Sequence, residues 1–467
     1  MPARERPQFN RREFLQSAAV TGAGLMVTLP TWAQDAAPPA PGAPQAAPEP
    51  GATTTSAREV KVAVIGAGGW SNSQGLNLVK HCLKIPGIRF AAVCDIWPYA
   101  QRYTTNVLKK FEHTPNVYAD YREMLEKEKD LEAVIVATPD WMHAEHSIAC
   151  LEAGKHVYCE KEMSNTIEGA RQMVEAARRT KKLLQIGHQR RSNPRYWHAL
   201  KMIEKDNILG RITHCFGQWN RPRLVEIEWV PGEELDDATL EKYGYDSMDA
   251  FRNWRWYRKY SGGPMADLGS HQVDVFNWFL KTPPKAVMAT GGLDFYTEQK
   301  GRDWYDNVLA LYEYQTPAGP VRAFYQVLNT TSYGGFFETL MGHEGSLVIS
   351  EDPRRGQIFR EQAAPKREWE NEADKIETMD REAINLALGK TLRSDGTPDP
   401  EGERLAAEAQ KPPHQLHLEN FFSAVRDGTP LSCPAEVAFE VCVTVLKANE
   451  AVAKGTRIEL KPEDFKA

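Results

Sequence analysis

The chain predicts an α/β protein of two domains: a doubly wound parallel sheet, then an α+β domain with a mostly antiparallel open sheet. Three observations predict it. Between residues 58 and 188, short apolar runs alternate with amphipathic stretches, the pattern of buried parallel strands joined by helices. The first run ends in a glycine cluster and the second in an aspartate. After residue 189 strand-length runs follow one another without intervening helices, which implies antiparallel pairing.

The first 57 residues read as address and tether. Asn10-Arg11-Arg12-Glu13-Phe14-Leu15-Gln16 has the form of a twin-arginine export signal. A moderately apolar run from Ser17 to Trp32 follows, with a small-residue cleavage site at Thr31-Trp32-Ala33. The run is too short and too rich in Ala, Gly and Thr to span a membrane. Residues 1–33 are therefore expected to be a signal peptide, and the Ala/Pro- then Thr/Ser-rich residues 34–57 a disordered linker. This route exports folded proteins, so a nucleotide enzyme would reach the periplasm with its cofactor already bound.

Of 467 residues, about 410 follow this leader and tether, enough for two domains with sizeable cores. The formal net charge of −6 and the lack of a basic block after the leader argue against nucleic-acid binding. No later segment is long and apolar enough to span a membrane. Seven cysteines are scattered, with Cys94, Cys159 and Cys442 inside apolar runs, so buried thiols are expected rather than a disulfide framework or metal site.

The first domain, residues 58–188, opens with the apolar run Val60–Ile65 and the cluster Gly66-Ala67-Gly68-Gly69-Trp70-Ser71. A helical stretch and a second strand, Ile88 to Cys94, lead to Asp95. Strand, glycine turn, helix, strand, acid is the order of a Rossmann dinucleotide-binding unit. Gly66 permits the tight turn, Gly68 lets the backbone approach a pyrophosphate, and the helix N-terminus offers N–H groups to it. Asp95 is placed for the adenosine ribose hydroxyls and would repel a 2′-phosphate, so NAD is favoured over NADP. Ser71 occupies the third glycine position. A further strand, Leu131 to Ala137, ends in Thr138-Pro139-Asp140-Trp141-Met142-His143. The next, Lys155 to Cys159, ends in Glu160-Lys161-Glu162, and a last, Lys182 to Ile186, in Gly187-His188-Gln189-Arg190-Arg191. Ionisable groups where strands leave the sheet stand where such sheets bind ligands.

The second domain, residues 189–467, holds strand-like runs at 211–219, 285–295, 306–315, 320–330, 335–342 and 345–350. It also contains Gly262-Gly263-Pro264-Met265-Ala266-Asp267-Leu268-Gly269-Ser270-His271-Gln272-Val273-Asp274. Asp267, His271 and Asp274 fall at i, i+4 and i+7, one face of a helix. Three readings are open: a metal site, a capped structural helix, or an acid/base pair in which Asp267 orients His271. Arg190, Arg191 and Asn193, with Trp254 and Arg255, are candidate substrate contacts. Aromatic rings suit apolar ligand faces, and arginines hydroxyls or an acidic group. The polar stretch from about 351 to 412 reads as a surface excursion over the substrate mouth or against a neighbouring subunit.

Gly66-Ala67-Gly68, Asp95, Thr138-Pro139 with His143, Glu160-Lys161 and Gln189-Arg190-Arg191 together resemble the Gfo/Idh/MocA family, which includes glucose–fructose oxidoreductase and inositol dehydrogenase. The resemblance runs from about residue 58 to 460. It implies an NAD(P)-dependent oxidoreductase acting on a sugar, polyol or glycoside, a homo-oligomer (dimer or tetramer), and C-terminal helices packed back on the first domain. Its Asp-x-x-x-His signature favours the acid/base reading. Lys161, His271 and Asp267 become the candidate catalytic residues. Gly66, Gly68, Gly69, Trp70, Ser71, Asp95, Thr138, Pro139, His143, Glu160, Lys161 and Gln189 are the candidate cofactor contacts. In the family a proline follows the glutamate-lysine pair, often through a cis bond, and here Glu162 replaces it. Some relatives are glycosidases that oxidise a sugar hydroxyl transiently and eliminate the glycoside, which makes NAD-dependent glycoside hydrolysis the alternative activity. The retained Glu160-Lys161 pair favours a dehydrogenase.

Overall fold

Two sheets organise the chain. The computed structural model describes residues 58–68, 73–222, 226–299, 301–371, 374–378, 382–386, 388 and 400–467. The expected signal peptide and linker lie outside these residues, as do Gly69, Trp70 and Ser71.

The first sheet holds β1 (Val60–Ile65), β2 (Ile88–Cys94), β3 (Asn116–Tyr118), β4 (Ala133–Val136), β5 (His156–Cys159) and β6 (Leu184–Ile186). They are parallel and ordered β3-β2-β1-β4-β5-β6. Val, Ile, Ala and Cys fill these strands because helices cover both faces, so both side-chain rows are buried. The register aligns Cys94, Ile65, Val136, Cys159 and Ile186 in one row across the sheet. Asp95, Gly66, Ala137, Glu160 and Gly187 therefore leave the sheet side by side. The strand order reverses between β1 and β4, where open α/β sheets bind ligands.

The second sheet holds β7 (Ile212–Asn220), β8 (Ala286–Gly292), β9 (Asn307–Thr316), β10 (Gly319–Leu328), β11 (Phe336–Gly342), β12 (Gly345–Ile349), β13 (Gly356–Arg360), β14 (Lys375–Glu377), β15 (Glu382–Asn385) and β16 (Ile458–Glu459). Its order is β14-β15-β13-β12-β11-β7-β10-β9-β8-β16, antiparallel except where β10 runs parallel to β7. Along β9 the alternation is strict: Val308, Ala310, Tyr312 and Tyr314 are buried while Leu309, Leu311 and Glu313 face outward. The stretch 351–412, expected to be a surface excursion, instead extends this sheet through β13, β15 and β14. Buried Ile358, Ala383, Ile384 and Leu386 attach it, sparse apolar positions hidden among polar neighbours.

Two C-terminal helices close the structure. Leu418, Phe421 and Phe422 of helix Pro413–Asp427 pack with β1 and β2 side chains. Helix Ala435–Lys454 bridges both cores, with Phe439, Cys442 and Val443 in the first and Val441, Val445 and Ala448 in the second. All seven cysteines are buried free thiols, and no helix among the described residues is long and apolar enough to cross a membrane.

Candidate functional site

The strand ends of the first sheet open into a cleft of about 1100 Å³, walled on its far side by the second domain. Gly66, Gly68, Asp95, Thr138, Pro139, His143, Glu160, Lys161, Gln189, Trp254, Arg255 and His271 line it.

On the nucleotide side, Gly66 has φ +82°, and a Cβ there would lie 2.6 Å from the Thr138 amide nitrogen. Only glycine fits between β1 and β4. Gly75, in the first turn of helix Gln74–Cys82, makes a close helix–strand contact. A Cβ at Gly75 would lie 2.0 Å from the Gly66 carbonyl oxygen. Ser73 precedes this helix without a side-chain cap, so the first amides stay free to face an anion. Asp95 accepts from the Gly68 and Trp97 amides, both at 2.9 Å. Burial pushes its carboxyl up, and these two bonds oppose the shift. His143 is buried, with Nδ1 2.7 Å from the Glu162 carbonyl and Nε2 2.7 Å from the Thr138 carbonyl. It clamps the β4 turn to the β5 loop. Both contacts ask the ring to donate, which suits an imidazolium, whereas burial presses its pKa down. The glycine cradle, the uncapped helix end and the carboxylate beyond β2 fit a dinucleotide.

On the reaction side, Lys161 donates through Nζ to the Asp267 carbonyl and stands 3.6 Å from the Asp267 carboxylate. Arg255 donates to the same carboxylate at 3.1 Å, and Arg221 lies 3.5 Å from it. Burial works to raise the Asp267 pKa, but Arg255, Lys161 and Arg221 together hold it well below the ordinary carboxylate range. The expected bond from Asp267 to His271 is absent among the described residues. Asp267 lies within a π-helical turn, Met265–Gly269, that precedes helix Ser270–Leu280. Its carboxylate turns to the cations. His271 stacks on Trp219 at 5.2 Å, and its Nδ1 has no partner. Burial, then Lys161 and Arg190, lower its pKa well below the ordinary histidine value. Asp274 leaves the set entirely: it accepts from Arg191 at 2.7 Å.

The Lys161–Glu162 peptide bond is cis. Glu162 turns away from Lys161 into the interior, where its Oε1 accepts from the Met163 amide at 2.7 Å. Burial raises its pKa to about 8.

Three expected substrate contacts are engaged elsewhere. Arg190 pairs with Glu338 and lies 3.5 Å from Glu351. Arg191 is held by Asp274 and the Trp278 ring. Asn193 caps helix Pro194–Lys205 by accepting from the Arg195 amide. Each partner lies far away in sequence or depends on a local cap, so basic residues after a strand read the same whether they face a ligand or a core. Gln189 donates to Glu351 at 3.2 Å.

Trp219 and, apart from Trp254 and Arg255, the aromatic segment 226–260 were not among the residues the sequence singled out. Tyr245, Met248 and Tyr260 of that segment pack with Trp97, and the Trp97 Nε1 donates to the Glu233 carbonyl at 2.6 Å. Tyr243, Tyr245, Phe251 and Arg252 thereby line the cleft. The density of Trp and Tyr in this segment was the available signal.

Two family profiles match the chain: "Oxidoreductase family, NAD-binding Rossmann fold" over residues 60–188 and "GFO/IDH/MocA C-terminal domain" over residues 197–348. A glycosyl hydrolase family 109 protein of Shewanella pealeana is 31% identical over 287 residues, 60% of this chain and 60% of its own length. An alpha-N-acetylgalactosaminidase of Shewanella oneidensis is 29% identical over 284 residues, 60% of this chain and 59% of its own. The chain thus spans about 60% of the length of these curated relatives. Among solved structures, levoglucosan dehydrogenase in complex with NADH superposes with a TM-score of 0.62 at 18% identity, covering 86% of this chain and 100% of its own. The aldose-aldose oxidoreductase of Caulobacter crescentus, complexed with glycerol, gives 0.62 at 16% identity over 86% and 100%. At these identities the structural likeness shows the fold.

Proposed function

We propose that this chain, which belongs to the Gfo/Idh/MocA family of NAD-binding oxidoreductases, transfers hydride between a sugar, polyol or glycoside carbon and a tightly held nicotinamide. The observation that carries the reading is that Lys161 and His271, from different domains, line the cleft that also holds Gly66 and Asp95. Gly66, Gly68 and the free amides at Gln74 would hold the pyrophosphate, and Asp95 the adenosine ribose. Bound NAD supplies the hydride acceptor. Lys161 keeps N–H donors beyond the one given to Asp267 and holds the substrate oxygen. His271, kept as the free base by burial and by neighbouring cations, takes the hydroxyl proton. Asp267 positions Lys161 and Arg255.

The test is a sugar and polyol panel followed at 340 nm, with mass spectrometry of the nucleotide released from purified protein. Lys161→Ala is expected to retain NAD and lose turnover. Full turnover in that variant would refute the assignment.

A second reading, NAD-dependent glycoside hydrolysis by transient oxidation and elimination, is favoured by the family 109 relatives. Release of an aryl aglycone without acceptor and without net absorbance change at 340 nm would select it.

Arg11-Arg12 with the apolar run behind them supports export through the twin-arginine route. The outward sheet face, with Met288 and Leu311 exposed among aromatic Phe216 and Phe324, supports self-association into a homo-oligomer.

A further inference from the structure

Beside the cleft lies a second, smaller recess of about 20 Å³, large enough for one or two oxygen atoms and too small for a sugar ring. Arg255 and Trp256, Asp267, Arg221 and Arg302 are among its walls, and Arg255 lines both spaces. Arg302 is its unusual member. Its side chain is only 8% exposed, yet Nε, Nη1 and Nη2 are all without hydrogen-bond partners among the described residues. Its guanidinium stacks 3.2 Å from the Trp256 ring centre and 4.4 Å from that of Tyr296.

Four carboxylates lie near it. Glu226, exposed to water, and Asp249, already taken by the Tyr257 hydroxyl and the Asn253 amide, act on it through space without a hydrogen bond. Asp306, also in the recess wall, is saturated: its Oδ2 accepts from the Asp294, Phe295 and Tyr296 amides and its Oδ1 from the Asn307 side chain. Asp267 is shared by Lys161, Arg255 and Arg221. A buried guanidinium without a partner is costly, since each unmet donor loses water and gains nothing. A stack serving packing alone would be met by an apolar side chain. Positive charge in excess, a planar fork of free donors and space for a few oxygens together describe a receptor for a small planar anion.

We propose that this recess receives a carboxylate carried by the substrate, so that the enzyme acts on an acidic sugar such as a uronic acid or uronoside. Arg302 is its principal donor, and Arg221 and Arg255 set the field. The inference rests on the oxidoreductase reading and specifies its substrate class. The recess volume favours the flat carboxylate over tetrahedral phosphate or sulfate esters, which share the negative charge.

The experiment uses purified, nucleotide-loaded enzyme. Matched hexuronates and parent hexoses of gluco, galacto and manno configuration are assayed at 340 nm with their methyl glycosides, alongside the hexose 6-phosphates and 6-sulfates. Binding of each is measured in parallel by calorimetry. The best uronate is expected to exceed its neutral parent by about 10- to 100-fold in kcat/KM, with a similar ratio in Kd. In Arg302→Ala that ratio collapses toward one, and in Arg302→Lys, which keeps the charge and loses the fork, it falls part of the way. Preference for a neutral parent, or for a phosphate or sulfate ester, overturns the carboxylate assignment, as does an unchanged ratio in Arg302→Ala. Turnover of neutral sugars without uronate preference refutes this inference while leaving the oxidoreductase reading intact. No turnover or aglycone release with any member refutes both. The wild-type ratio decides the matter even if the variants fold poorly.

Discussion

Glu162 offers the sharpest test of how the strand-end loop is built. It follows Lys161, buried to 1% exposure, with Oε1 on the Met163 amide and Oε2 without a hydrogen-bond partner among the described residues. Its pKa rises from 4.5 to about 8, caused first by burial. The sign follows from proton counts. Between those values the unfolded chain has lost the proton and the native protein keeps it, so stability falls as pH rises from about 4.5 to 8. The full difference corresponds to roughly 5 kcal/mol, an upper figure because burial alone rarely expresses itself completely. Glu162→Gln removes the titration while keeping the shape. Urea unfolding at several pH values should show the wild type losing stability on the alkaline side relative to the variant, by about 1.4 kcal/mol per pH unit at most. Parallel pH profiles for the two proteins would refute the reasoning, because they would mean that Glu162 is ionised in the native state or reaches water.

Three further perturbations probe other levels. Gly66→Ala places a methyl against the Thr138 amide in a left-handed conformation and should cost about 1–3 kcal/mol while lowering the nucleotide content of purified protein, read by absorbance and urea unfolding. Arg190→Met should destabilise by about 3–5 kcal/mol because it strands Glu338 in the core, whereas the double change with Glu338→Leu should recover most of the loss. His271→Asn should reduce kcat by about 10²- to 10⁴-fold with NAD retained. In the wild type the depressed histidine pKa places the acid limb of kcat/KM below pH 6.5, and a limb above 6.5 would reassign the base.

The first domain was legible because its code is local. Both faces of its strands are buried, so each strand is a continuous apolar run, and the residue after the run marks the ligand edge. Gly66, Asp95, Thr138 and Glu160 could be placed from the chain alone for that reason. The six strands β7 to β12 were legible to within three residues at either end for a similar reason, since alternation reports which face is buried. What escaped was long-range. Whether Arg190 meets a ligand or Glu338 depends on a contact 148 residues away, and Arg191 depends on Asp274 at 83. The strands in 351–412 escaped because a few buried apolar side chains anchor an otherwise polar edge.

Asp267 shows why a correct motif still misassigns a role. Spacing of four residues puts two side chains on one face but does not choose their partners. Here three cations, Lys161, Arg255 and Arg221, gather on the aspartate in place of the histidine. The consequence is electrostatic as well as geometric. A carboxylate bonded to His271 would raise the imidazole pKa, whereas burial, then Lys161 and Arg190, press it down. The same arrangement holds Lys161 from its carbonyl and carboxylate sides, so the ammonium meets a substrate oxygen in a fixed pose. It also places Arg255 at the junction of cleft and recess, where it joins the proposed anion receptor to Asp267.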